Sequence, residues 1–430
     1  MRVMVIGGGA REHAMAWKLK QSPRVCAVVV APGNAGTACE PGISNLSVDA
    51  SNVVELVNQA QKRQIDLTIV GSEMPLAVGI VDAFQKAGLR IFGPPVASAR
   101  LETSKHFAKQ FLARHHVPMA RHQSFSNLDQ ALAHIGKHSF PLVIKADGLA
   151  AGKGVVVASD FHSAETALRF MLEQKGLGEA GNQVVIEDCL EGRELSYIVM
   201  CDGRYALPLP ISQDYKRRDD HHLGPNTGGM GAISPVPGVS AELECRIREQ
   251  IVLPTIAGML AENMPFVGFL YFGLMIDAEE NPKVLEINVR CGDPETQVLM
   301  LRLRSDFLEL IEAALDQRLE QIKPQWDSQS ALALVLAVQS YPEQKSLGQV
   351  IEGLEEASLL TDKIFHAGTS LQAGKIVTAG GRMLSVCALG PTLKNAREKA
   401  YAAVKPIRFL DMFYRQDIGA CDVSSSPVAT

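Results

Sequence analysis

Between residues 284 and 297 the chain reads VLEINVRCGDPETQ, and three of its side chains are of types that manage oxygen anions. Successive side chains of an extended strand alternate faces, so Glu286, Asn288 and Arg290 fall together and Leu285, Ile287 and Val289 fall opposite. The polar row offers a carboxylate and an amide oxygen to a hard cation, with a guanidinium beside them for an anionic reactant. A half-buried edge strand with one solvated face would alternate in the same way. The row therefore gains meaning only from what the rest of the chain brings to it. Asp293 and Glu295 follow at once in a Gly-Asp-Pro turn.

Several other stretches suit phosphates and a nucleotide. PLVIKADG and GKGVVVA read as two strands joined by a glycine-rich turn, with Lys145 on the first strand and Gly148, Gly152, Lys153 and Gly154 in the turn. This is not a Walker A loop. Only three residues separate Gly148 from Gly152, Gly154 stands where that motif has Ser or Thr, and the turn joins two strands where a P-loop joins a strand to a helix. A hairpin cap over phosphates, with Lys145 as a point charge, accounts for the glycines and the lysines together. Lys105 lies in a helical pattern over 98–114, SARLETSKHFAKQFLAR, closed by Pro118. The acidic run EDCLEGRE at 187–194 ends one strand and begins another, and its backbone and carboxylates suit a purine ring and its ribose.

At the N-terminus RVMVI leads into GGGAREHAMAWKL, a strand, glycine turn and helix. The third glycine of a dinucleotide fingerprint is replaced by Glu12, and the second strand ends in Ala31-Pro32 with no acid for a ribose, which disfavours NAD. What remains is a helix N-terminus with free backbone N–H groups beside Arg11 and His13, a cradle for one phosphate. Glu73 sits just past a strand end, where open α/β sheets bind ligands. The stretch 213–237, QDYKRRDDHHLGPNTGGMGAISPVP, is expected to be a long glycine and proline loop unlike a core element, of a length that is usually functional or disordered. Its two histidines are adjacent and so poorly placed to share a metal.

These groups need several units to position them. Apolar runs at 2–6, 25–30, 66–70 and 89–92 alternate with helical patterns and predict a parallel α/β domain over residues 1–101. Residues 123–189 read as a small insert of strands and one helix near 163–173. Residues 102–122 and 190–324 form the central domain, with a helix near 242–259, a hairpin turning across 278–282 and a helix near 306–315. Residues 325–430 read as a small α+β unit, with strands at 331–339, 363–366, 376–378 and 383–388, a helix at 393–404 and a frayed tail after Cys421. The 430 residues are 47% hydrophobic and 21% charged with a net charge of −5, a globular multidomain composition with no sign of a nucleic-acid surface. No apolar run reaches the roughly 20 residues that span a bilayer, and the apolar N-terminal stretch is too short for a signal peptide, so a cytoplasmic protein is expected. Eight cysteines without a C-x-x-C pair indicate neither zinc nor a disulfide framework.

In order along the chain, GGGAREHA, SKHFAKQFL, IKADGLAAGKGVVV, the acidic run at 187–194, GPNTGGMGA and EINVRCGDPETQ resemble the glycinamide ribonucleotide synthetase (phosphoribosylamine-glycine ligase) family of the ATP-grasp superfamily. The resemblance spans essentially the whole chain. It implies an N-terminal pre-ATP-grasp domain, a two-subdomain ATP-grasp fold with 123–189 as its lid, and a C-terminal α+β cap. ATP would lie between the subdomains with Lys105 and Lys145 on its phosphates, the loop with Gly148, Gly152, Lys153 and Gly154 closing over them, Glu187, Asp188 and Leu190 hinging adenine, and Glu194 on the ribose. Glu286 and Asn288 match the family's metal ligands, for Mg2+ or Mn2+. Arg290 would steady an acyl phosphate and, with Lys145, carry the chemistry. Gly9, Arg11, Glu12, Asp293, Pro294, Glu295 and Thr296 would hold 5-phosphoribosylamine, while Asp214 and Arg290 lie where glycine would sit and Glu73 belongs with the substrate-binding residues.

The reaction implied is ligation of glycine to 5-phosphoribosylamine through glycyl phosphate, in purine biosynthesis. Such phosphoryl transfer needs positioning and charge neutralisation more than a protein nucleophile, which fits a chain without a Ser-His-Asp or Cys-His constellation. The partners implied are small molecules, with a monomeric enzyme in at most transient contact with the one that makes the amine. Many ATP-grasp enzymes carry a second metal carboxylate on the preceding strand. Here that strand reads GFLYFGLMID, its only acid is Asp277 at the hairpin turn, and the glycine-ligase branch shares this. Ser72 also replaces a usual proline, and DDHH a more glycine-rich loop. The alternative is another ATP-grasp ligase or carboxylase acting on a different acid. A regulator that had lost catalysis would lack Glu286 or Asn288.

Overall fold

A computed structural model describes residues 1–150 and 154–420. Near the N-terminus five strands pair in parallel in the spatial order Ile43–Asn45, Ala27–Pro32, Arg2–Gly7, Leu67–Val70 and Ile91–Phe92. Helices cover both faces, which is why the strands read as unbroken apolar runs: Val3, Val5, Val28 and Val30 pack into one core and Met4, Ile6 and Val29 into another. The carboxyl ends of the central strands deliver the Gly7–Gly9 turn and Glu73 to one rim, the ligand-binding rim of such sheets.

Two antiparallel sheets follow. His122–Phe125, Val184–Asp188, Leu142–Ala146 and Val155–Ala158 form a four-stranded sheet in that order, backed by the helices Leu128–Ile135 and Phe161–Leu168 through Ala131, Ile135, Ile144, Leu168 and Ile186. The second carries Ala206–Pro208, Arg193–Asp202, Val267–Ile276 and Pro282–Asn288, and its edge strand is the one bearing Glu286 and Asn288.

The helical pattern over 98–114 is two helices, Val96–Thr103 and Lys105–Arg114, not one. Ser104 breaks it in an extended conformation, and its hydroxyl accepts the Phe107 N–H at 3.0 Å as an N-cap. The stretch 213–237 also departs from expectation. Gln213–Asp214 and Gly231–Ser234 are strands that join Ser330–Val338, Arg382–Gly390 and Lys363–His366 in one sheet, to which Met412–Phe413 is added. A boundary at 325 is therefore crossed by hydrogen bonds from Gly231–Ser234 to Ser330–Val338. Gly231 permits this pairing, since a Cβ there would lie 2.8 Å from the Ala333 carbonyl oxygen. Beyond the elements expected in the C-terminal unit, Ser346–Val350, Leu354–Leu359 and Thr369–Gln372 are ordered, the two strands flanking Lys375–Gly380. Among the described residues no helix is long and apolar enough to cross a membrane.

Candidate active site

The strand Pro282–Asn288 keeps the expected alternation, with Leu285, Ile287 and Val289 buried and Glu286 and Asn288 half-buried on the other face. Its register slips opposite Gly273 and Leu274, which pair with Glu286 and Val284, so Leu285 is an extra residue in a bulge. The Leu285 carbonyl then accepts the Lys145 ammonium at 3.0 Å, tying the sheet that carries Leu142–Ala146 to this strand. Arg290 lies past the strand end, contrary to the expectation that it continues the row. It is placed instead by side chains of two other elements: its guanidinium is 3.3 Å from the Glu73 carboxylate and 3.1 Å from that of Glu102, and it donates to the Cys291 carbonyl at 3.1 Å. Glu102, missed in the sequence because it sits inside a helix with no motif around it, also accepts the Val289 N–H at 2.7 Å. Burial pushes the Glu102 carboxyl up, whereas burial of Arg290 is outweighed by Glu102 and Glu73, which hold its proton more firmly.

The helix break at Ser104 has a purpose at the site. Asp147, in the glycine-rich turn, accepts the His106 N–H at 2.6 Å and the Ser104 hydroxyl at 3.0 Å, while its carbonyl accepts the Lys105 N–H at 3.0 Å. The turn thereby fixes the helix start that presents Lys105. Burial and then the neighbouring Lys145 charge lower the Lys105 pKa, the mark of ammonium groups gathered for an anion. Glu187 turns its carboxylate toward two lysines. It is buried, 2.7 Å from Lys109 and 3.2 Å from Lys145, and these two charges hold it ionised against burial. Lys109 was not singled out, although it follows Lys105 by one helical turn; burial takes its pKa down to about 8 against the pull of Glu187. Asp188 and Leu190 remain partly exposed, with Asp188 2.6 Å from Arg121. Gly148 packs on Ala180, where a Cβ would come within 2.9 Å. Gly154 accepts the Ala146 N–H at 2.7 Å; Gly152 and Lys153 lie outside the described residues.

A cluster of acids surrounds Lys216, a residue of the 213–237 stretch not picked out by type or spacing. Its ammonium bonds the Glu194 carboxylate and lies 3.1 Å from Glu286. The hydroxyl of Ser196 is 3.1 Å from Glu295 and from the Tyr271 hydroxyl, and 3.4 Å from Asp214. Burial raises the Asp214 carboxyl well above the usual range, Lys216 opposing and Glu295 adding to the rise; burial also raises Glu295. Glu286 falls the other way, to about 2, chiefly through the Lys216 charge.

The two predicted turns face each other, since a Cβ on Gly9 would lie 3.6 Å from the Asp293 carboxylate. The cradle at the first is not free as expected. Glu12 reaches back to accept the Gly9 N–H at 2.7 Å and the Arg11 Nε–H at 2.7 Å, and Arg11 also donates to the Cys291 carbonyl at 3.1 Å. His13 points elsewhere. Its Nε2 is 3.1 Å from Glu40 and its Nδ1 accepts the His366 N–H at 2.9 Å, and with Glu40, Lys363 and His366 it lines a cavity of about 390 Å³. In the second turn Pro294 precedes the helix Glu295–Arg302, and Thr296 is buried with its hydroxyl donated to the Gly292 carbonyl at 2.6 Å, so it presents no donor to a ligand. Asp293 is 2.9 Å from Arg382, which also donates to the Gly229 carbonyl at 3.1 Å. Arg382 comes from the C-terminal unit, and only the tertiary contact reveals it.

A cation suits the Glu286 face. Glu286 is ionised at neutral pH, already takes one cation in Lys216, and has the hard amide oxygen donor of Asn288 two residues on. Among the described residues no group of three His, Cys, Asp or Glu side chains could hold a metal. Phosphate oxygens and water would have to complete the shell, which is how Mg2+ is commonly bound.

Family models match in series: phosphoribosylglycinamide synthetase N domain over residues 1–102, its ATP-grasp (A) domain over 103–296 and its C domain over 331–421. The chain is 50% identical over 419 residues to a phosphoribosylamine-glycine ligase of Vibrio vulnificus, covering 97% of this chain and 98% of that one. A crystal structure of phosphoribosylamine-glycine ligase from Thermotoga maritima is 32% identical, with a TM-score of 0.84 over 97% of this chain and all of its own. The biotin carboxylase domain of a Hydrogenobacter thermophilus 2-oxoglutarate carboxylase, at 14% identity and a TM-score of 0.68 over 96% of this chain and 91% of its own, shares the fold. By full-length sequence, serial domain matches and fold, the chain belongs to the phosphoribosylglycinamide synthetase family.

Proposed function

We propose that the chain ligates glycine to 5-phosphoribosylamine at the expense of ATP, giving glycinamide ribonucleotide, ADP and phosphate. The observation that carries this reading is the convergence of a lysine pair, a metal-competent strand face and an arginine framed by carboxylates. Lys105 and Lys145 would hold ATP phosphates, with Glu187 fixing the Lys145 ammonium from one side and the Leu285 carbonyl from the other. Asp188 and Leu190 would flank adenine, and residues 123–189 would form the lid that excludes water from a hydrolysable acyl phosphate. Glu286 and Asn288 would hold a divalent metal, Mg2+ or Mn2+, which supplies charge neutralisation at the phosphates.

In the first step a glycine carboxylate oxygen attacks the γ-phosphorus and ADP leaves. In the second the amine attacks the acyl carbon and phosphate leaves. Arg290 has its charge fixed by Glu73 and Glu102 and would steady the anion developing in both steps without reorganising. Asp214 and Glu295 would meet the glycine ammonium. Gly9, Arg11 and the turn at Asp293, buttressed by Arg382, would receive the sugar phosphate. The enzyme would work as a cytoplasmic monomer. Oxygen-18 in the glycine carboxylate should appear in the released phosphate, and ADP release with phosphoribosylamine should require glycine and not accept bicarbonate or D-alanine in its place. Unlabelled phosphate, or turnover without glycine, would remove the assignment.

A further inference from the structure

Lys216 has no task in the reaction set out above, yet its ammonium joins the two carboxylates that flank the nucleotide in that reading. It bonds Glu194, the ribose candidate, and lies 3.1 Å from the Oε1 of Glu286, the metal candidate. The backbone at Lys216 is anchored, its carbonyl accepting both the N–H and the hydroxyl of Thr227 at 2.8 Å. The four-carbon stem is what can move, swinging a point charge about a fixed root. A divalent ion on the same carboxylate would sit about 2.0–2.1 Å from its oxygen. Two like charges that close on one oxygen repel each other strongly at such short range.

We propose that Lys216 is an internal counter-ion that competes with the divalent metal for Glu286 and is exchanged for it when the metal arrives with nucleotide phosphates. The exchange balances charge. Metal alone must evict an ammonium that then has no anion other than Glu194, whereas the metal–nucleotide complex brings phosphate oxygens as a new partner for it. Free metal therefore binds the free enzyme weakly, and Lys216 holds the acids together until nucleotide enters. A clamp with a purely structural role would destabilise the fold when cut and leave the metal no better bound.

The inference rests on Glu286 as a metal ligand, and the test separates the two claims. Mn2+ binding to the full-length enzyme without nucleotide is measured by electron paramagnetic resonance for wild type, Lys216→Met, Lys216→Gln and Lys216→Arg, with melting curves to confirm folding. Both neutral variants should bind Mn2+ about tenfold or more tightly than wild type, the gain expected from removing a close like charge. Lys216→Arg, which keeps the charge, should stay near wild type, and adding Glu286→Gln to Lys216→Met should abolish the gain. Unchanged or weaker binding in the folded neutral variants, including no measurable binding in any form, overturns the exchange. Should Glu286→Gln alone keep wild-type Mn2+ affinity in the presence of ATP, the ligand assignment itself fails.

Discussion

Replacing Arg290 by Ala separates the roles of this site more sharply than any other single change. The guanidinium is largely buried and the Glu102 side chain is only 6% exposed, so the variant leaves a carboxylate in a low-dielectric pocket without its cation. Breaking such a pair costs about 3–5 kcal/mol. At about 2–4 °C per kcal/mol for a domain of this size the melting temperature should drop by roughly 6–20 °C. The loss should depend on pH. Burial already raises the folded-state pKa of Glu102 above its unfolded value, and without Arg290 it rises further. The folded state then holds the proton better, so the stability from this group is present in acid and lost as pH rises through the folded pKa; the deficit should be smaller at pH 5 than at pH 8. Catalysis should fall by about 10²–10³ in kcat, as for loss of one preorganised charge contact. The dissociation constant for ATP, measured by calorimetry below the melting range, should hold within a few-fold. ATP affinity lost together with intact turnover at saturation would refute the placement of Arg290 on the acyl phosphate, and a deficit larger at pH 5 would refute the account of Glu102.

Three further expectations follow from the same geometry. Glu187→Gln removes a charged hydrogen-bond partner of the Lys145 ammonium, so a nonhydrolysable ATP analogue should bind about tenfold more weakly, the scale of one hydrogen bond to a charged group; unchanged binding would show that Glu187 does not orient Lys145. Arg382→Met removes the partner of Asp293 and should raise KM for phosphoribosylamine while sparing KM for ATP, and a change confined to ATP would sink its assignment to the sugar-phosphate turn. Burial lowers His13 and takes His366 down to about 3, both below their unfolded value, so the stability they contribute is complete above about pH 6.5 and declines as pH falls toward the folded values. Melting temperatures should accordingly fall from pH 7 to pH 5, and His366→Asn should flatten that slope.

The sequence alone determined the chemistry-bearing types and much of the scaffold. Alternation from 285 to 289 is local and set by covalent geometry, and so are the buried apolar strands of the N-terminal sheet, which is why both were legible. The glycine-rich turn and Lys145 could likewise be read from composition and spacing. What the residues contact was decided in three dimensions. Glu12 fills the cradle that its own helix was expected to leave open, because a side chain three residues on can reach the first N–H groups. The helix start that Ser104 caps is held in place by Asp147, distant in sequence, which accepts the His106 N–H and the Ser104 hydroxyl. The Glu187 carboxylate is a buried counter-ion to two lysines, because the packed fold brings Lys109 and Lys145 to it. Glu102, Lys216 and Arg382 carry no local signature and became visible only through partners far away in sequence. Periodicity reports which face is buried; pairing of charges depends on which segments meet, and for this chain only the tertiary structure settled that.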